Sequence, residues 1–223
     1  MELFLVIRGV SLAEEFIKFW AELANRYDLA IDNIMGEKIR PKIREKLNEE
    51  NNLGNLLELG CGTGYFTDTL AYKSESVIST DISEEMLSIA RRKLKGFEFQ
   101  VMDCQNLKFG EGTFDTVFMG LVLLFTQPEN ALKESCRVLK PGGLLIIVDP
   151  DISFLSFYGN LKFRFKALIN YRKIPTTGHF LNQEKIEGML DKTGFKVISK
   201  EIIRDEKNPN YVTANYIKVI AKK

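Results

Sequence analysis

The residues best suited to chemistry lie between positions 55 and 67, where an apolar run ends in three closely spaced glycines. Residues 55–59 predict a short buried strand, and a turn containing Gly60, Gly62 and Gly64 leads into a helix-like segment. Glycines allow the backbone to turn sharply and to approach a ligand closely. Because the first N–H groups of a helix favour negative charge, this stretch predicts a site for a nucleotide-like ligand.

The spacing of the turn distinguishes between ligand classes. Dinucleotide-binding turns carry their third glycine at the sixth position, which is Tyr65 here. Glu58 places a carboxylate inside the predicted strand, and a buried acid needs a partner, which the ammonium group of a ligand would supply. An acid followed by these glycines favours a nucleoside that carries an amino acid over a pyrophosphate. A glycine turn without a ligand is the alternative.

Two further acids follow the next predicted strands. Asp81 ends an apolar run at 76–80, about 20 residues beyond the first glycine, the spacing of a carboxylate that binds ribose hydroxyls. A carboxylate can accept from both hydroxyls at once. Asp81 could instead serve only as an acid at the start of the helix that Ser83 caps. Asp103 and Cys104 follow an alternating segment at 97–102 in the same way.

At these positions the chain resembles the class I S-adenosylmethionine-dependent methyltransferases. The resemblance runs from about residue 27 to the C-terminus and includes Leu-Lys-Pro-Gly-Gly at 139–143. It is closest to the small-molecule branch with the ubiquinone and menaquinone C-methyltransferases. It implies S-adenosylmethionine as cofactor, S-adenosylhomocysteine as product, and a Rossmann-like α/β fold. The expected sheet has seven strands in the order 3-2-1-4-5-7-6, with strand 7 antiparallel and helices on both faces.

The resemblance also implies roles for individual residues. It places Glu58 near the amino-acid end of the cofactor, Asp81 on the ribose and Asp103 on the adenine amino group, while Ile82 and Met86 pack on the adenine. Tyr27, in a Tyr-Asp pair upstream of the glycine turn, is expected to close over the cofactor. The full expected cofactor-binding set is Tyr27, Glu58, Gly60, Cys61, Gly62, Gly64, Asp81, Ile82, Met86, Asp103, Cys104, Gly120 and Leu121.

The segment after the fourth predicted strand, at 114–119, indicates the acceptor class. It lacks the motifs that adenine-N6, arginine and metal-dependent catechol methyltransferases carry there. Leu121, Leu124 and Phe125 instead predict an apolar wall facing the methyl group. The expected reaction is therefore methyl transfer to a small molecule of apolar or aromatic character.

The chain is predicted to form a single domain of residues 1–223, and two segments within it are expected to be additions to the sheet and its flanking helices. Residues 1–50 predict a helical cover, in which an aromatic stripe including Trp20 is attributed mainly to core packing, and which Pro41 could interrupt. Residues 151–181 predict a lid inserted after strand 5, with seven aromatic and five basic residues and a single acid. The lid is expected to supply much of the substrate pocket, and a surface helix with a solvated basic face is the alternative.

Candidate catalytic groups are sparse. His179, the only histidine, could act as a general base near neutral pH, and Tyr158 is a weaker candidate, but a lone histidine more often has a packing role. Three dispersed cysteines with one histidine predict no metal site, and the odd cysteine count favours a reducing compartment.

Composition limits the partners. The formal net charge of +1 argues against a stable nucleic acid partner, and no run reaches the length of a membrane span. The N-terminus lacks the basic start of a signal peptide, so we expect a cytoplasmic protein, monomeric or homodimeric. An RNA or protein methyltransferase that uses the basic lid, or a non-catalytic nucleotide-binding protein, remains the alternative.

Overall fold

The computed structural model describes residues 12–153, 155–171, 181–205 and 212–222. These residues form one mixed sheet of seven strands in the order β3-β2-β1-β4-β5-β7-β6, in which only β7 runs antiparallel to its neighbours. Fold class and strand order are therefore confirmed. The strands are β1 (Asn55–Leu59), β2 (Ser76–Asp81), β3 (Glu98–Val101), β4 (Phe114–Gly120), β5 (Leu139–Asp151), β6 (Phe195–Ile203) and β7 (Thr213–Ala221).

Eight α-helices flank the sheet in the described part of the chain. Ser83 and Asn182 cap two of them, since each side chain accepts a hydrogen bond from the backbone N–H three residues later. Pro128 occupies the first position of another. The helices are α1 (Leu12–Leu23), α2 (Tyr27–Met35), α3 (Ile39–Asn48), α4 (Thr67–Lys73), α5 (Glu84–Lys93), α6 (Pro128–Val138), α7 (Phe157–Tyr171) and α8 (Gln183–Lys192).

The fifth strand is longer than the apolar run at 144–148 predicts. Helix α6 ends at Val138, and Leu139 already pairs with Phe114 on β4 before a register shift. At its other end β5 continues to Asp151, because β7 pairs with residues 144–151 along their whole length. An antiparallel partner strand therefore extends β5 beyond its apolar segment.

Alternating strand residues face two separate cores. Leu56, Phe118 and Ile146 pack with α1, α2 and α3 on one face of the sheet. Residues at neighbouring positions, such as Val117 and Ile147, pack with α6 and α8 on the other face. The N-terminal helices therefore share one face of the sheet with α4 and α7.

The break between α2 and α3 precedes the proline that was expected to cause it. The chain turns at Gly36, where φ is 97°, and Pro41 is the third residue of α3. The first N–H groups of a helix have no intrahelical acceptor, so a proline there costs no hydrogen bond. The expectation that Pro41 interrupts the helix is wrong.

The segment after β5 is helical, as predicted. Helix α7 turns Gly159, Phe163, Ala167 and Tyr171 inward and packs against α2. The side chain of Asn33 on α2 donates to Asn170 Oδ1 at 3.2 Å and its carbonyl accepts from Lys166 Nζ at 2.9 Å. Within the described ranges, every helix is too short or too polar to cross a bilayer.

Candidate cofactor and substrate site

A cavity of about 290 Å³ opens at the carboxyl ends of β1, β2, β3 and β4, where open α/β sheets bind their ligands. Its walls come from α1, the start of α2, the glycine turn and the segments that follow β2, β3 and β4. The lining residues are Phe16, Trp20, Tyr27, Gly60, Asp81, Ile82, Met86, Met102, Asp103, Cys104, Gln105, Leu121, Val122, Phe125, Thr126 and Gln127.

The floor of the cavity is the glycine turn after β1. Gly60 has a φ of 68°, and a Cβ there would stand 2.3 Å from Val122 Cγ2. Both the backbone conformation and the space therefore require glycine at this position. The turn is fixed by hydrogen bonds from Cys61 N to Thr80 O on β2 and from Gly64 N to Cys61 O, each of 2.9 Å. The cavity floor is thus rigidly joined to its neighbouring strand.

Asp81 connects the glycine turn to the start of α5. Its Oδ2 accepts from Gly62 N at 2.8 Å and its Oδ1 from Ser83 N at 2.9 Å. Burial raises the pKa of Asp81, although these backbone N–H groups oppose the shift. A carboxylate has about four acceptor positions, so two bonds leave capacity for a ligand. Ile82 and Met86 line the adjacent wall, and their contact with the adenine stays a prediction.

The loop after β3 forms a second polar edge. Asp103 Oδ1 accepts from the backbone N of Gln105 at 2.9 Å, and Gln105 Oε1 accepts from Gln127 N at 2.9 Å. The loop is therefore tied to the segment after β4. Cys104 lines the cavity, and burial, reinforced by Asp103 and Asp81, raises the pKa of its thiol to about 12. The thiol stays protonated at neutral pH, which agrees with a lining role rather than a nucleophilic one.

Glu58 lies beneath the glycine turn and does not line the cavity. Its Oε2 accepts hydrogen bonds of 2.6 Å from the hydroxyls of Thr67 and Ser79. Burial raises the pKa of Glu58 to about 7, while the two hydroxyls lower it. The expectation that this acid needs a ligand ammonium as its partner is wrong, because α4 and β2 supply one hydroxyl each. Its contact with the cofactor stays a prediction.

Four other predicted cofactor residues, three in the glycine turn and one at the end of β4, do not line the cavity. Gly62 has a φ of 55°, and a Cβ there would lie 3.6 Å from the Tyr27 ring. Gly64 packs closely on α5, where a Cβ would be 2.9 Å from Leu94 Cδ1. Cys61 and Gly120 are likewise outside the lining set. Their direct contact with a cofactor therefore stays a prediction.

The aromatic residues of α1 form the roof. Phe16 and Trp20 line the cavity together with Tyr27, and Trp20 meets Phe125 edge to face with ring centroids 4.8 Å apart. The attribution of this stripe to core packing is confirmed, because Trp20 and Leu23 are buried in the core and Phe16 packs against it. Phe16 and Trp20 line the cavity in addition. The proximity of the stripe to the predicted Tyr-Asp pair was the signal available in the sequence.

An ionic network that the sequence analysis missed holds this roof to the floor. Arg40 donates to Asp28 Oδ1 and to both carboxylate oxygens of Asp32, each at 2.8 Å. Asp28 also accepts from Thr63 Oγ1 of the glycine turn at 2.9 Å and from Lys93 Nζ at 2.6 Å. Burial opposes ionisation, but these bonds outweigh it and lower the pKa of Asp28. Asp28 therefore fixes its neighbour Tyr27 relative to the turn.

The wall after β4 is apolar, as predicted, with one correction. Leu121 and Phe125 line the cavity, whereas Leu124 is buried and lies outside the lining set. Behind this wall lies Asp149 on β5, buried with no hydrogen bond to either carboxylate oxygen from the described residues. Burial raises the pKa of Asp149 well above the usual range. The nearby backbone N–H groups of Leu124 and Leu123 oppose the shift, although neither meets the geometry of a hydrogen bond. Nothing in the local sequence signalled this acid.

The described part of the predicted lid lies outside the wall of the cavity. Tyr158 is 75% exposed on α7 and does not line the cavity, so the structure contradicts a catalytic role for it. His179 lies outside the described residues. The described residues between 152 and 171 supply no lining residue. The rest of the predicted lid, residues 154 and 172–180, lies outside the described residues, so its contribution to the pocket stays a prediction. Tyr171 reaches the site only indirectly, through edge-to-face contacts with Phe19 and Trp20.

Comparison with known proteins assigns this site to a family. The sequence model of the family described as "Methyltransferase domain" matches residues 57–147. A demethylmenaquinone methyltransferase from Thermotoga maritima is 30% identical over 213 residues, which span 85% of this chain and 91% of that protein. The chain belongs to the class I S-adenosylmethionine-dependent methyltransferases. It is therefore an enzyme that uses S-adenosylmethionine, and the predicted cofactor is confirmed.

Two further relatives support the assignment. A demethylmenaquinone methyltransferase from Clavibacter sepedonicus is 38% identical over 98 residues, which span 42% of this chain and 40% of that protein. Among solved structures, a Thermotoga maritima SAM-dependent methyltransferase, described as a possible histamine N-methyltransferase, superposes with a TM-score of 0.67 at 24% identity. That match covers 93% of this chain and all of the other, and it shows the shared fold.

The cavity of this methyltransferase fits its cofactor on structural grounds. Gly60 brings backbone without a side chain to the cavity wall, and a Cβ there would clash with Val122, which also lines the cavity. Asp81 is a partly buried carboxylate with spare acceptor capacity at the edge of the cavity, which suits vicinal hydroxyls. Ile82 and Met86 add the apolar surface that a purine ring requires.

Proposed function

We propose that this methyltransferase transfers the methyl group of S-adenosylmethionine to a small acceptor that is apolar or aromatic. The observation that carries the proposal is the wall formed by Phe16, Trp20, Leu121 and Phe125, from α1 and from the segment after β4. The lining residues include two charged side chains, Asp81 and Asp103. We assign both to cofactor groups, which leaves for the acceptor a mainly aromatic and aliphatic wall whose polar members include Gln105, Thr126 and Gln127.

The proposed cofactor position follows the sequence prediction. Asp81 would accept from the ribose hydroxyls, Ile82 and Met86 would pack on the adenine, and Asp103 would accept from its amino group. Tyr27 would close over the ligand from the roof. The amino-acid end would lie on the glycine turn above Glu58.

Several features of the chain would promote the reaction. The bound cofactor supplies a methyl group that is already activated as a sulfonium. The protein therefore needs chiefly to align the acceptor and exclude water, which the rings of Trp20 and Phe125 would do at the cavity wall. The networks of Asp28 and Asp81 would keep roof and floor at a fixed separation. His179 remains the candidate base for an acceptor that must lose a proton.

The relatives suggest a particular acceptor class. The Thermotoga maritima and Clavibacter sepedonicus proteins are named demethylmenaquinone methyltransferases. Their acceptor has an aromatic ring system, which suits the aromatic wall of this cavity. We therefore infer a quinol-like ring as the acceptor, methylated at carbon.

Calorimetry and a turnover screen test this proposal separately. We expect binding heat with S-adenosylmethionine and none with NAD, and formation of S-adenosylhomocysteine with a reduced demethylated quinone rather than with amines, thiols or tRNA. Asp81→Asn should weaken cofactor binding by about 1.5–3 kcal/mol through loss of a charge-assisted bond. Trp20→Ala should instead raise the acceptor KM with little change in cofactor affinity. Preferred turnover of tRNA would overturn the small-molecule assignment.

A further inference from the structure

Helix α7 presents a row of large apolar side chains to solvent. Each of the six is between 51% and 90% exposed, whereas the opposite side of the helix is buried against α2. Isolated exposed apolar residues are ordinary, but a contiguous group marks an interaction site. The members of this outer face are Phe157, Tyr158, Leu161, Phe165, Leu168 and Ile169.

The helical positions of these residues define a continuous stripe. At about 100° per residue, the six side chains of the outer face fall within an arc of about 120°. Lys162 and Lys166 follow at one margin of this arc, and Arg164 lies at the other margin. An apolar stripe with basic residues on both margins is the arrangement of a helix that lies in a membrane interface.

The segment that contains α7 carries basic residues without acidic ones. No acid occurs between residues 152 and 183, although the whole chain carries 31 basic and 30 acidic residues. Arg164 Nε donates to Asn160 Oδ1 at 3.0 Å, which orients the guanidinium with a neutral partner. The apolar outer face of α7 therefore has basic residues at its margins and no acid in its own stretch of the chain.

We propose that the outer face of α7 docks this enzyme on a bilayer surface that contains anionic phospholipids. The apolar side chains would enter the interface between headgroups and acyl chains, while Lys162 and Arg164 would extend toward lipid phosphates. A second copy of the chain suits the surface less well, because a twofold contact would bring these cations together. Tyr171, on the buried side of α7, touches Trp20, so the docked helix stands one side chain away from the cavity wall.

Vesicle flotation of the full chain tests this proposal without using the methyl transfer reaction, so its result is independent of the proposed acceptor. We expect the protein to float with phosphatidylcholine vesicles that contain phosphatidylglycerol, and to float poorly with phosphatidylcholine alone. The triple variant Leu161→Ser, Phe165→Ser, Leu168→Ser should lose flotation. Lys162→Gln and Arg164→Gln should each weaken partitioning roughly fivefold at low salt.

Matched variants elsewhere on the surface control for general loss of apolar area or charge. Tyr72 and Val101 are also exposed, and their replacement by Ser should leave flotation unchanged. Lys185→Gln and Lys192→Gln remove exposed charges from α8 and should also have no effect. Unchanged binding heat with S-adenosylmethionine would show that every variant is folded.

Three results would overturn the proposal. The first is no flotation of the wild-type protein with either vesicle. The second is flotation that the α8 charge variants reduce as much as the α7 variants do. The third is a concentration-dependent dimer that the triple variant dissociates, which would assign the outer face to a second copy.

Discussion

Replacing Arg40 with alanine should loosen the roof of the active site and lower the stability of the whole domain. The Arg40 side chain is 3% exposed and makes four hydrogen bonds of 2.8–3.0 Å, three to the carboxylates of Asp28 and Asp32 and one to the Asp28 carbonyl. Its guanidinium also stacks on the Tyr65 ring, 4.0 Å from the centroid. Alanine would leave both acids without this partner.

The magnitude follows from the burial of the pair. Removing one partner of a buried ion pair costs about 3–5 kcal/mol. Asp28 and Asp32 are 36% and 30% exposed, so water can reach them and the lower end, about 3 kcal/mol, applies. For a chain of this length each kcal/mol corresponds to about 2–4 °C, so Tm should fall by about 6–12 °C.

Arg44 provides a matched control one turn further along α3. It pairs with Asp68 at 2.7 Å, but the two side chains are 37% and 41% exposed. Arg44→Ala should therefore cost only about 0–1 kcal/mol. Thermal and urea unfolding of both variants, with S-adenosylmethionine titrations beside them, measure the difference. Equal losses of stability in the two variants would refute the reasoning from burial.

Two other perturbations test the glycine turn and the acid beneath it. The folded-state pKa of Glu58 is about 7, above its ordinary value, so stability should fall as pH rises from about 4.5 to 7, by on the order of 3 kcal/mol. In Glu58→Gln, the free energy of unfolding measured in urea should lose this part of its pH dependence. An unchanged pH dependence would contradict the raised pKa of Glu58. Gly60 and Gly142 both have a positive φ, of 68° and 71°. An alanine Cβ at position 60 would stand 2.3 Å from a side-chain atom, whereas an alanine Cβ at position 142 would have open space around it. Urea unfolding should show a loss of about 1–2 kcal/mol for Gly142→Ala and a larger one for Gly60→Ala, with weaker cofactor binding; equal losses would show that the clash is absent.

Local sequence patterns were sufficient to predict several strands and part of the candidate site. Apolar runs of strand length, separated by helical periodicity and punctuated by glycine and proline, identified β1 to β4 to within a few residues. The positions of Asp81 and Asp103 were also readable, because a residue at the carboxyl end of a parallel strand must face the ligand edge of the sheet. The strand order came from the resemblance to the family.

Contacts between distant residues were not readable in the same way. The partners of Glu58 come from α4 and β2, and the partners of Arg40 come from α2, so neither set lies in the residue's own segment. Periodicity shows that a side chain faces inward, but it does not show what it meets there. For the same reason, the sequence assigned the aromatic stripe of α1 to the core but did not show that Phe16 and Trp20 also line the cavity.

The sequence by itself determined the cofactor turn, since a backbone with positive φ at Gly60, Gly62 and Gly64 admits few other residues and the requirement is local. The tertiary structure decided how the turn is enclosed. It placed α1 over the cavity, turned α7 so that its apolar stripe faces outward, and left Tyr158 in solvent. The physical reason is that docking a helix onto a sheet depends on the combined burial of many residues far apart in sequence, which no single segment encodes.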